Sequence, residues 1–236
     1  IYRPFLPSRA RIHVFHGTHS GTADAIRAHI PRLDYLVARY LWGGVYERLS
    51  ARVSACIAVS NFVAKEALRY YNKQARIIPN TINPTFFQTQ PLSKTELRSK
   101  LDLPADKKLL LVVGRRERLK GWALCRDLLD VLPAHCSLIS VGQGNNPEHP
   151  RLVTRNPVSP DELRDYYSAA DWTISPSLYE GFGLTLLESW ACGTPVIASP
   201  TGLAHDLRGQ SALLDACTAP RTDDFKALLE VIRRVI

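Results

Sequence analysis

The chain of 236 residues has no methionine, no cysteine pair spaced C-x-x-C, and no apolar run near the roughly 20 residues that a membrane-spanning helix needs. Its five cysteines, Cys56, Cys125, Cys136, Cys192 and Cys217, are scattered, which argues against a zinc site or a disulfide framework and for reduced thiols in a reducing cytosol. No signal-peptide pattern opens it. The expectation is a cytoplasmic protein, at most peripheral at the inner face of the membrane. The start at Ile1 and the missing methionines leave two readings open, a piece of a longer protein or modified methionines absent from the written sequence. Neither a G-x-x-x-x-G-K-[ST] phosphate loop nor a strand-linked G-x-G-x-x-G occurs. Gly142-Gln-Gly144 is followed by Asn145, Asn146 and Pro147, so a nicotinamide dinucleotide site is not expected; a tight loop and a ligand contact are equal readings of this G-x-G.

Hydrophobic residues make up 45% of the chain, enough for a packed core. The net charge of +8 points to a partner that carries phosphate: nucleic acid, an anionic membrane surface or a phosphorylated small molecule. Aromatic residues are not interleaved with a basic patch, so nucleic acid is not expected as a partner.

Residues 11–15, 54–59 and 75–78 read as short apolar strands separated by helical stretches, with residues 62–71 helical and Asn61 placed to cap them. The prolines and asparagines of Ile78-Pro-Asn-Thr-Ile-Asn-Pro84 then interrupt the pattern like a hinge. A second series follows, with strands at 108–113, 137–141, 152–154, 172–175, 195–198 and near 212–214. Helices are expected at 122–132, 160–170, 183–191 and from Asp223. Residues 109–113 are apolar throughout, as in a parallel strand covered on both faces. The fold class is therefore α/β, with a complete Rossmann-like C-terminal domain at 89–236, a linker at 79–88 and a partial N-terminal Rossmann-like domain at 1–78 whose sheet edges look bare.

Two segments carry candidate chemistry. The first, Val113-Gly114-Arg115-Arg116-Glu117-Arg118-Leu119-Lys120-Gly121, runs from a strand through a glycine-flanked turn into a helix, the place where open α/β sheets meet ligands. Gly114 lets backbone approach a ligand, and Arg115 and Lys120 offer a guanidinium fork and a point charge to a diphosphate. The same segment also reads as a solvated basic loop. The second runs from Ser175 through Glu180-Gly-Phe-Gly-Leu-Thr-Leu-Leu-Glu188 to Pro195. Gly181, Phe182 and Gly183 form a turn after a strand, and the helix that begins there offers N–H groups near Leu184 and Thr185 to phosphate. Glu188 lies about 7.5 Å further along the helix axis, on the stripe of Thr185, in reach of ribose hydroxyls. Such charge-assisted bonds contribute roughly 1.5 to 3 kcal/mol each. Glu180, in the turn, binds sugar hydroxyls, faces a developing positive charge or is tied to the turn backbone. His13, His16 and His19 do not read as a metal cluster, because residues 13 and 16 of a strand point to opposite faces, and no metal is expected.

Residues 180–188 resemble the E-x7-E motif of family 4 of the retaining glycosyltransferases, and Cys192-Gly-Thr-Pro-Val-Ile-Ala resembles its usual continuation. Residues 113–121 resemble the G-R-x-x-x-x-K-G element of that family, residues 159–171 its S-x-x-E-L-x-x-x-Y-x-x-A-D stretch, and Val59-Ser60-Asn61 with Ile78-Pro79-Asn80 the end of its acceptor domain and the linker. The resemblance implies a GT-B fold and transfer of a hexose from a nucleotide diphosphate sugar to an acceptor hydroxyl with retention at the anomeric carbon. Binding without turnover, and a GT-B epimerase or phosphorylase, are the alternatives. It further implies Arg115 and Lys120 on the diphosphate, Glu180 on the sugar, Glu188 on the ribose, and backbone near Leu184 and Thr185 on phosphate. Gly142 would line the nucleotide pocket, and His16 would face the transferred sugar. With no D-x-D element, these fixed charges would take the place of a cation, so no cofactor is expected beyond the donor substrate. The acceptor would be a glycan, a lipid-linked sugar or a small molecule.

Overall fold

The computed structural model describes residues 11–52, 54–145, 148–210, 218–219 and 225–235. The chain is built as two compact units: Ile1–Asn80 with Tyr179–Gly183 and Thr201–Leu207, and Thr81–Leu178 with Leu184–Pro200 and Arg208–Ile236.

The first unit has a parallel sheet of β1 (Ile12–Phe15), β2 (Ala55–Ala58) and β3 (Arg76–Ile77), in that order. Alternation in β1 puts His13 and Phe15 inside and leaves Ile12 and Val14 exposed; His16, one residue on, is exposed as well. Helix α1 (His19–Ala25) is capped by Thr18, whose side chain accepts from the Gly21 N–H. Helices α2 (Arg32–Leu36) and α3 (Arg48–Arg52) are joined by a π-helical stretch, Val37–Glu47. Gly43 in that stretch lies so close to α1 that a Cβ there would come within 2.3 Å of Ser20 Oγ. Helix α4 (Asn61–Tyr71) buries Val63, Ala67 and Tyr71, a spacing of four residues that gives one apolar stripe. Its cap is Ser60 rather than the expected Asn61: the Ser60 hydroxyl accepts from Val63 N–H, and the Asn61 N–H donates to Asp206 Oδ2 at 2.6 Å. An oxygen one bond beyond Cβ, on the residue preceding the first helical turn, suits the cap, and Ser60 holds that place.

In the second unit β4 (Lys108–Val113), β5 (Cys136–Val141), β6 (Leu152–Arg155), β7 (Trp172–Ser175) and β8 (Val196–Ala198) form a parallel sheet in the order β6-β5-β4-β7-β8. Helices α5 (Lys94–Lys100), α6 (Trp122–Val131), α7 (Pro160–Ala169), α8 (Leu184–Ala191) and, after the α9 turn (Gly202–Asp206) of the first unit, α10 (Phe225–Val235) accompany it. Period two in β4 explains its unbroken apolar run. Leu109 and Leu111 pack with Leu97, Tyr166 and Tyr167, while Leu110 and Val112 pack with Leu128, Leu228 and Ile232 on the opposite face. Each fully buried leucine contributes about 1.5 to 3 kcal/mol of apolar transfer, an upper bound for an extended unfolded chain.

Helix α5 was not expected from the apolar pattern, yet it carries a capping box in which Ser93 and Glu96 satisfy each other's backbone N–H groups. The strand expected near 212–214 lies outside the described residues, and the final helix is described from Phe225. Among the described residues no helix is long and apolar enough to cross a membrane.

Candidate functional site

Strand order in the second unit runs outward from β4 in one direction to β6 and in the other to β8, so the direction of winding reverses between β4 and β7. Ligands of open α/β sheets bind beyond the carboxyl ends of the strands at such a reversal. The two motif segments begin on just these two neighbouring strands.

The turn after β4 starts at Gly114 (φ 136°), makes a short 3-10 turn over Arg118–Lys120 and ends at Gly121 (φ 70°), a left-handed residue that opens α6. A Cβ on Gly121 would stand 2.1 Å from the Pro176 carbonyl oxygen, and the Leu178 N–H donates to Leu119 O at 2.9 Å, so the turns after β4 and β7 are docked backbone to backbone. The side chain of half-buried Lys120 runs along Gly114, with Cγ, Cδ and Cε 3.7 to 3.8 Å from where a Cβ would be. Arg115 is exposed and pairs with Glu117 at 3.0 Å.

Its neighbour Arg116 is buried, which residue type alone does not show. Arg116 Nε donates to Asn145 O at 3.0 Å and its terminal nitrogens donate to Gly142 O and Arg155 O, while its backbone N–H donates to Gln143 O. It ties together the chain after β4, the chain after β5 and the last residue of β6. The glycines of Gly142-Gln-Gly144 answer to the same packing. A Cβ on Gly142 would meet Gly114 O at 1.9 Å, and one on Gly144 would meet Arg116 Cβ at 2.7 Å.

On α8, Thr185 and Glu188 share a stripe, with Leu186 and Ser189 buried on another. The fully buried Tyr167 of α7 donates its hydroxyl to Glu188 Oε2 at 2.7 Å. Burial raises the Glu188 carboxyl above its ordinary range, and the Tyr167 bond opposes that shift. Tyr167 is itself fixed, since Thr194 Oγ1 donates to its carbonyl at 2.6 Å. The other ends of its motif serve the fold. Ser159 caps α7 by accepting from Glu162 N–H. Asp171 accepts from Leu109 N–H and Arg98 at 2.8 Å each, and those partners hold its carboxyl low against burial.

Glu180, Gly181, Phe182 and Gly183 belong to the first unit, together with His16. A Cβ on Gly181 would stand 1.6 Å from His16 O, so the loop after β1 and the Glu180 loop are in backbone contact. Tyr179 reaches a buried polar cluster: its hydroxyl donates to Glu66 Oε2 at 2.5 Å and accepts from the Thr18 N–H at 2.7 Å. Burial lifts the Glu66 carboxyl from 4.5 to about 7 against the pull of these bonds. Half-buried Glu180 and exposed His16 thus lie on adjoining loops.

Residues 107–236 match the sequence pattern of the family described as glycosyl transferases, group 1. The chain belongs to that family. Among its relatives is a D-inositol 3-phosphate glycosyltransferase of Xylanimonas cellulosilytica, 30% identical over 179 residues that cover 66% of this chain and 43% of the relative. The sucrose-phosphate synthase of Thermosynechococcus elongatus superposes with a TM-score of 0.73 at 25% identity, covering 95% of this chain and 58% of that one. HepE of Anabaena, solved in complex with UDP-glucose, superposes with a TM-score of 0.66 over 84% of this chain and 56% of its own, and at 20% identity that likeness bears on fold. The fold is of the GT-B type. The chain spans 31 to 55% of the length of the curated relatives it matches.

Within this family member the structure brings Gly114, Lys120 and Gly142 together, joins Thr185 and Glu188 through Tyr167, and gathers His16 with Glu180 and Gly181. Arg116, Tyr167, Glu66 and Thr18 went unnoticed. Tyr167 had a visible signal in its motif, whereas Glu66 and Thr18 lie 113 and 161 residues from Tyr179 and had none.

Proposed function

We propose that this chain carries the donor site of a retaining glycosyltransferase, of the family 4 type, that transfers a hexose from a nucleotide diphosphate sugar to an acceptor hydroxyl. The observation that carries the reading is the placement of both motif segments on β4 and β7, the neighbouring strands at the reversal of strand order, with Glu188 oriented by a buried tyrosine. Arg115 and Lys120 meet the diphosphate, aided by the start of α8 with backbone near Leu184 and Thr185. Glu188 accepts the ribose hydroxyls. The Tyr167 bond supports this role, because it occupies one carboxylate oxygen and aims the other. Glu180, with Gly181, Phe182 and Gly183, holds the sugar, and His16 faces the carbon being transferred. Gly114 and Gly142 allow close approach of the nucleotide.

Charge that develops on the departing diphosphate is met by Arg115, Lys120 and the helix start, and the scheme calls for no resident metal or cofactor. The HepE complex with UDP-glucose supports a nucleotide sugar as the donor class. The acceptor is a glycan, a lipid-linked sugar or a small molecule. Contact with an anionic membrane carrying such an acceptor is supported by the net charge of +8 and by Tyr40, Trp42 and Tyr46, which are about half exposed. The second reading is donor binding without turnover.

A thermal-shift screen of nucleotide sugars tests both readings. One nucleotide sugar should raise the melting temperature in proportion to the logarithm of its concentration. Release of free hexose or its transfer to an added acceptor then separates turnover from binding, and a chain stabilised by none of the nucleotide sugars sinks the proposal.

A further inference from the structure

Glu180 is the second residue of the loop Tyr179–Gly183, and the residues on both sides of it are clamped within the first unit. Before it, the buried Tyr179 uses its hydroxyl in both directions, donating to Glu66 Oε2 at 2.5 Å and accepting from the Thr18 N–H at 2.7 Å. The Thr18 hydroxyl donates to the same Glu66 oxygen at 2.9 Å, so three groups from the loop after β1, from α4 and from the Glu180 loop close into one ring of bonds. After it, the Gly181 carbonyl accepts from the Ser60 hydroxyl at 2.6 Å, and Gly181 rests against His16 O.

The surrounding sequence leaves room for this cluster. A Cβ on Gly21 would stand 2.1 Å from Glu66 Oε1, and one on Gly17 would stand 2.9 Å from Tyr179 Cε1. The Tyr179 ring also lies 5.8 Å from Phe62, in the first turn of α4. A carboxylate drawn out of water is a costly way to anchor a loop, and an apolar contact would hold it at less expense. What directed hydrogen bonds add is a fixed geometry.

We propose that Glu66 is a positioning residue for the sugar end of the donor site, acting through Tyr179 to fix the backbone on which Glu180 is carried. The inference rests on the donor-site reading and adds to it a residue that touches neither nucleotide nor sugar. Its consequence is a division of labour. Loss of the clamp weakens the hold on the sugar and leaves the nucleotide, which Glu188 holds in the second unit, as it was.

The test compares affinities by calorimetry for UDP, GDP and ADP with those for UDP-glucose, GDP-mannose and ADP-glucose, using the pair that the wild type binds. In Tyr179→Phe the ratio of sugar-bearing to bare nucleotide affinity falls about tenfold, the size of one lost charge-assisted bond, while affinity for the bare diphosphate stays within about twofold, as expected for sites that do not share partners. Glu66→Ala reproduces the fall, and Glu66→Gln, which keeps an acceptor oxygen, recovers most of it. An unchanged ratio in Tyr179→Phe overturns the proposal, and Glu66→Ala decides in the same way where Tyr179→Phe does not fold. A parallel loss of both affinities also overturns it, since that is the mark of a general loosening. Failure of the wild type to bind any of the six ligands is a distinct result that removes the donor-site reading and the inference with it.

Discussion

Glu188 and Glu180 belong to one motif but to different units, and they are held by different means. The surroundings of Glu188 are set by backbone and by near neighbours. Gly121 against Pro176, Gly142 against Gly114, and Tyr167 under the carboxylate are all built from the turns and helices of a single parallel sheet. The surroundings of Glu180 are set by polar side chains brought from far along the chain, Glu66 and Thr18 to Tyr179 and Ser60 to Gly181. Glycine packing makes a rigid site that tolerates almost no substitution. A hydrogen-bonded ring makes a site whose geometry depends on the protonation and identity of a few groups. The two surroundings should therefore respond differently to mutation and to pH.

The largest expected effect is on the glycine side. Gly121→Ala places a Cβ 2.1 Å from the Pro176 carbonyl at a φ of 70°, and both the clash and the backbone strain act together. A loss of about 3 kcal/mol or more in urea denaturation is expected; a loss under about 1 kcal/mol would mean that the docking of the two turns is looser than described. Next come the adjacent arginines. Arg116→Ala removes the guanidinium donor from the Gly142 and Asn145 carbonyls, leaves the Arg155 carbonyl with the Gly142 N–H alone, and should cost about 2 to 4 kcal/mol, whereas Arg115→Ala, on an exposed pair, should stay within about 0.5 kcal/mol. Similar costs for the two would erase the distinction between scaffold and ligand arginine.

The last expected effect is on the polar side and depends on pH. Glu66 titrates at about 7 in the fold against 4.5 ordinarily, so between those values the folded protein keeps a proton that the unfolded chain has lost. Its contribution to stability is fully present below 4.5 and is lost as pH rises to about 7, by up to ~3 kcal/mol. Denaturation of the wild type and of Glu66→Gln at pH 5 and at pH 7.5 isolates it: the difference between the two proteins should shift in favour of the variant at the higher pH. A difference independent of pH would show that the Glu66 carboxyl titrates in its ordinary range.

The same contrast governs what was legible in the sequence. Strands such as Leu109–Val113 within β4 announce themselves because a parallel strand covered on both faces must be apolar at every position. The turns after β4 and β7 were legible because glycine at a left-handed φ leaves a residue type as its trace. Helix α5 was hidden by its polar composition, although Ser93 and Glu96 spelled its capping box. The stretch from α2 to α3 reads as helical but without bounds, because many of its large apolar residues, Leu33, Tyr40 and Trp42 among them, are exposed, so no buried stripe marks the individual helices. Arg116 could not be told from Arg115 by residue type, because burial alone separates them. Glu66 was out of reach altogether: a glutamate on a helix is ordinary until tertiary structure sets a tyrosine hydroxyl beside it.

The central claim is that Glu188 serves the nucleotide and Glu180 the sugar. Calorimetric titration of Glu188→Ala and Glu180→Ala with a nucleotide sugar and with its bare diphosphate tests it most directly. Glu188→Ala should weaken both ligands about tenfold or more, the loss of bonds to the ribose, and Glu180→Ala should weaken only the sugar-bearing one. Bare-diphosphate affinity equal to wild type in Glu188→Ala would contradict the account.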